Sequence, residues 1–78
     1  MNLAEIKAKD GDYYTAIELY KKAQKLAIDR GLIYIRLGQL FIEGYQDYNS
    51  ARKIWEFGLK NTVDDEAKGR LEKLLNTL

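Results

Sequence analysis

The chain has 78 residues, 46% of them hydrophobic and 32% charged, with a formal net charge of +1. That balance fits one small folded domain and excludes a disordered tail, and the near-zero charge supplies no field to draw nucleic acid or an anionic membrane surface. With neither cysteine nor histidine, disulfides, thiolate zinc sites, thiol nucleophiles and the commonest general base are all excluded, so no metal, cofactor or catalytic constellation is expected and the chain is not read as an enzyme.

The periodicity predicts five helices in chain order. The first, near residues 2–10, is short, and Leu3 and Ile6, spaced three apart, are its expected apolar face. The second, 13–29, carries Tyr13, Ala16, Ile17, Tyr20, Ala23 and Ala27 three or four apart. Asp12 stands where an N-cap carboxylate would accept backbone N–H groups, Lys21, Lys22 and Lys25 gather toward the opposite end as the helix dipole prefers, and Gly31 is expected to close the helix. The third, 32–44, sets Tyr34, Leu37, Gly38 and Phe41 on one face, yet Leu32, Ile35 and Ile42 point elsewhere. That helix is apolar almost all round, so something must cover the remainder. The fourth, 48–60, repeats the pattern of the second with Tyr48, Ala51, Ile54, Trp55 and Gly58, again behind an aspartate, Asp47. The fifth, 64–77, opens on a capping-box pattern from Thr62 to Asp65 and places Ala67, Leu71, Leu74, Leu75 and Leu78 together, as a closing helix would. No segment carries a strand signal.

The second and fourth helices are two copies of one pattern. Tyr13 aligns with Tyr48, Ala16 with Ala51, Leu19 with Ile54, Tyr20 with Trp55 and Ala23 with Gly58, every pair 35 positions apart. A fixed period of this size marks stacked supersecondary units, each unable to bury its apolar face alone. Each copy is preceded by a helical stretch, so the unit is a helical hairpin.

These residues carry a resemblance. Gly11-Asp12-Tyr13-x-x-Ala16-x-x-x-Tyr20-x-x-Ala23 resembles the second half of a tetratricopeptide repeat, and Tyr34-x-x-Leu37-Gly38-x-x-Phe41 followed by Tyr48-x-x-Ala51-x-x-x-Trp55 resembles an almost complete one. The resemblance implies an all-α fold of antiparallel helical hairpins stacked as a short α-solenoid. It divides the single domain 1–78 into a truncated first repeat (1–30), a second repeat (31–61) and a capping helix (62–78). Three departures stand out: no proline fills the turn position at Ile28, one extra residue in EGYQDY lengthens the period, and the first helix lacks about a turn. The half-a-TPR repeats of RNA-processing scaffolds are a close rival, suggested by Phe41-x-Glu43 and ARKIWEFGL at 51–59.

In tetratricopeptide stacks the first helix of each hairpin lines a concave groove. By that resemblance Leu32, Ile35, Gln39, Ile42 and Glu43 would face a partner, with Glu5 and Lys9 contributing from the preceding hairpin. The competing structural explanation is that neighbouring helices already bury the apolar members of this set. The family's clamp for a terminal carboxylate is missing, because Met1, Glu5 and Arg36 occupy the positions of its lysine and asparagines. The implied function is non-catalytic: a protein or peptide partner, with a homodimer or higher homo-oligomer supplying the layer that a chain of fewer than two full repeats lacks. Direct nucleic-acid binding is not expected, since the lysines of KKAQK, Lys7 and Lys9 lie among Glu18, Asp10 and Asp12 and read as a solvated face. No apolar run approaches membrane-spanning length and the start, MNLAEIKAKDGD, lacks the apolar centre of a signal peptide, so a cytoplasmic location is the default.

Overall fold

The computed structural model describes residues 2–78. Among these, five helices and no strand occur: α1 (Leu3–Lys9), α2 (Tyr13–Leu26), α3 (Gly31–Tyr45), α4 (Tyr48–Asn61) and α5 (Asp65–Asn76). The connections are two to four residues long, short enough to bring consecutive helices against one another. Each helix packs on the next, and α3 also meets α5. The thinnest dimension is 17 Å, which accommodates two helix layers.

Local chemistry explains the helix starts. The Asp12 carboxylate accepts the Thr15 backbone N–H at 3.2 Å, and Asp47 accepts that of Ser50 at 3.0 Å. These bonds hold both carboxyls below the usual aspartate range, with Thr15 and Ser50 as the leading causes. Ahead of each cap sits a left-handed residue, Gly11 at φ +86° and Gln46 at φ +52°, again 35 positions apart. The sequence period is therefore also a period of backbone conformation.

Two sequence-based assignments of helix ends are corrected. Helix α2 stops at Leu26, three residues early, because Leu26 and Ile28 find no apolar partner and stay exposed while Tyr34 reaches back to donate to the Ile28 carbonyl at 2.5 Å. Gly31 does not close α2. It opens α3, where a Cβ would lie 2.3 Å from that of Ala67. Thr62 is not a capping-box residue either: it ends α4 and is buried, while Asp64 caps α5 by accepting the Glu66 backbone N–H at 3.1 Å.

The core has two parts. One gathers Ala4 and Ala8 of α1, Ala16, Ile17 and Tyr20 of α2, and Leu37 and Leu40 of α3. The other joins Tyr34 and Ile35 of α3 to Ala51 and Trp55 of α4 and to Ala67 and Leu71 of α5. Aromatic rings in the second fill notches left by missing side chains. A Cβ at Gly38 would fall 2.2 Å from Trp55 Nε1, and one at Gly58 would fall 2.6 Å from the Tyr34 ring. The indole N–H is satisfied by the Ile35 carbonyl at 3.2 Å. Helix α1 departs from expectation: its alanines, not Leu3 and Ile6, face the core, and both larger residues remain exposed. Tyr48 is exposed as well, although its counterpart Tyr13 is half-buried against Gly44.

Candidate functional site

The surface between α1 and α3 holds a linked group of polar side chains, Glu5, Tyr20, Arg36 and Glu43. Arg36 projects from the middle of α3 and is held on two sides. Its Nε and Nη2 donate to the two oxygens of Glu5 at 2.8 and 2.9 Å, and its Nη1 donates to Glu43 at 2.7 Å. The fork of the guanidinium matches a carboxylate in this bidentate way, which a lysine would not. The Tyr20 hydroxyl of α2 also donates to Glu5, so one carboxylate on α1 ties three helices together.

These contacts fix the protonation states. Arg36 holds the Glu5 carboxyl below the usual glutamate range, and burial, followed by the bond to Glu5, pushes the Tyr20 hydroxyl up to about 12. Arg36 itself is raised by its bond to Glu5. The guanidinium places three of its five N–H donors on two carboxylates.

Two clefts flank the ion pair, and Glu5 and Arg36 line both. The first, about 480 Å³, is bounded by Ile6, Lys9, Tyr13 and Glu43; the second, about 460 Å³, by Tyr20, Leu32, Gln39 and Arg70. The pair is thus a partition across one groove. Lys9 and Arg70 have no acidic partner within 4.0 Å among the described residues, so each cleft carries one uncommitted positive charge. A third cleft, about 500 Å³, lies between the α2–α3 and α4–α5 connections and brings exposed Leu32 and Val63 together beside Arg30 and Asp64.

The seven expected groove residues divide. Glu5, Lys9 and Glu43 line the first cleft, and Leu32 and Gln39 the second, with Leu32 60% exposed. Ile35 is only 3% exposed and belongs to the core with Trp55 and Leu71, because α4 and α5 close over that side of α3. It also lines the second cleft, from the core side, and so adds little surface there. Ile42 is half-buried in the same cluster as Leu74, Leu75 and Leu78. Met1, one of the positions compared with the clamp, lies outside the described residues. Sequence reasoning did not single out Arg70 or the Tyr20 hydroxyl. Neither had a local signal, since both reach the groove only through the packing of their helices against α3.

No family model matches this chain, and neither the curated proteins nor the solved structures contain a significant match. No helix among the described residues is long and apolar enough to cross a membrane.

Proposed function

We propose that the chain is a tetratricopeptide-like helical repeat working as a non-catalytic protein-interaction module in the cytoplasm. Its α1–α3 groove takes a helix or extended segment of a protein partner. The reading rests chiefly on one observation, the 35-residue period carried through four matched pairs: left-handed Gly11 and Gln46, capping Asp12 and Asp47, fully buried Ala16 and Ala51, and core aromatics Tyr20 and Trp55. Stacked rigid hairpins present a preformed face, so a partner can dock without the module reorganising.

Within the groove, Leu32 supplies exposed apolar surface, Gln39 a neutral polar group, and Lys9, Glu43 and Arg70 the charged rim. Ile35 supports this surface from beneath. The half-a-TPR alternative differs in partner rather than in fold, and a titration with single-stranded RNA at low salt separates the two: salt-sensitive binding would favour the RNA-processing reading.

Selection from a displayed peptide library tests the proposal. Peptides enriched on the wild-type chain should bind Leu32→Asp and Lys9→Glu at least about tenfold more weakly, with far-ultraviolet circular dichroism unchanged. No enrichment on the wild type, or equal binding to both variants, would defeat it.

A further inference from the structure

Helix α1 is attached differently from the other four. It has seven residues, well below the length at which an isolated helix holds together in water, and it buries only Ala4 and Ala8. Every other helix contributes at least one large buried side chain, such as Tyr20, Leu37, Trp55 or Leu71. What distinguishes the seat of α1 is its specificity. Between the two small residues stands Glu5, read by Nε and Nη2 of Arg36 and by the Tyr20 hydroxyl. The seat thus recognises a short helix with alanines four apart and a carboxylate next to the first.

The chain contains that helix, and Gly11 joins it to the rest. At φ +86° Gly11 makes the α1–α2 turn without strain, and being glycine it can adopt an extended conformation equally well. Opening at residues 10–12 would free α1 as a unit. It would uncover the side of the core formed by Ala16, Ile17, Tyr20, Leu37 and Leu40. A second copy carries the one sequence already shown to fit this seat. Exchange would remake every contact made within one chain, and two copies brought together could shield Leu3 and Ile6, which are 55% and 38% exposed in the single chain.

We propose that the seat of α1 on α2 and α3 is an exchangeable helix-binding site, and that its second occupant is α1 of another copy, admitted by the Glu5 carboxylate. This is independent of the family resemblance and of any foreign partner in the groove.

Complementary charge reversal in two full-length chains tests it. Glu5→Arg sets a cation against Arg36, and Arg36→Glu sets an anion against Glu5 and Glu43, so each variant rejects its own α1. Reciprocal exchange between the two restores opposite charges at both seats. An equimolar mixture should therefore form a heterodimer, seen by native mass spectrometry, at least about tenfold tighter than either variant's self-association, because an opposite-charge pair replaces a repulsion at each of two seats. Helical content should rise on mixing if either variant is partly unfolded. The chain carrying both substitutions restores the pair within itself and should stay out of the complex. The proposal is overturned if the mixture behaves as the average of its components, folded or unfolded, or if the doubly substituted chain joins equally well.

Discussion

Gln46 is the residue at which sequence and conformation disagree most openly. It takes the left-handed conformation that Gly11 takes 35 positions earlier, at a cost that glycine does not incur. Gln46→Gly should raise stability by about 0.5–1 kcal/mol in urea unfolding, the larger flexibility of glycine in the unfolded chain offsetting part of the gain. Gly38 is the opposite case. Alanine is worth about 1 kcal/mol more than glycine inside a helix, but the added methyl would strike a Trp55 ring that is 2% exposed and tied to the Ile35 carbonyl. Overpacking of about 1–3 kcal/mol should dominate, and Gly38→Ala should lower the urea midpoint. Tyr20 gives a prediction on the alkaline side. Its hydroxyl, raised to about 12 by burial and by Glu5, stays neutral in the folded chain while the unfolded chain ionises near 10. Its contribution is intact below the unfolded value and is lost as pH rises through the folded one. Tyr20→Phe should therefore lose less stability than the wild type between about pH 10 and 12.

Among the helices, α1 and α3 show what periodicity conveys and what it leaves out. The spacing of α3 revealed an element that neighbours must surround, but not how deeply Leu32 and Ile35, three apart and lining one cleft, are buried. Depth separates them: Ile35 packs in the core with Trp55 and Leu71, whereas Leu32 is left exposed. Ile35→Asp would bury an unpaired charge and should unfold the chain, while Leu32→Asp should leave its melting curve within about 0.5 kcal/mol of wild type, as circular dichroism would measure. In α1 the larger residues, Leu3 and Ile6, drew the assignment, but the close approach of α2 favours the small face of Ala4 and Ala8. The aspartate caps were legible because they depend on local chemistry. The Glu5–Arg36–Glu43 cluster was not, since its members are up to 38 positions apart and meet only by packing. At about 38% side-chain exposure, Glu5 should lend less than about 1 kcal/mol. Its carboxyl is held low by Arg36, so this stabilisation is complete above the ordinary glutamate range and lost as pH falls through the depressed value. The melting temperatures of wild type and Glu5→Gln should converge in acid.

For the molecule as a whole, size governs the argument. A chain this short buries about 60% of the surface exposed when it unfolds, so stability is modest and each ring-and-notch contact matters. The helical class and the number of helices were readable from the sequence because local patterns specify them. The groove's partition by an ion pair was not, because it arises from the relation between hairpins. Exposed Leu26, Ile28, Leu32 and Val63 at the ends of the second and fourth hairpin connections leave further apolar surface for contact with other chains. The account as a whole depends on α3 and α4 packing as a hairpin whose rings are seated in glycine notches. Proton NMR measures this directly through nuclear Overhauser effects from the Trp55 indole to the Gly38 α-protons and from the Tyr34 ring to those of Gly58. Both sets of cross-peaks should be present, with the glycine resonances displaced by the rings; a folded chain in which either set is missing would contradict the account.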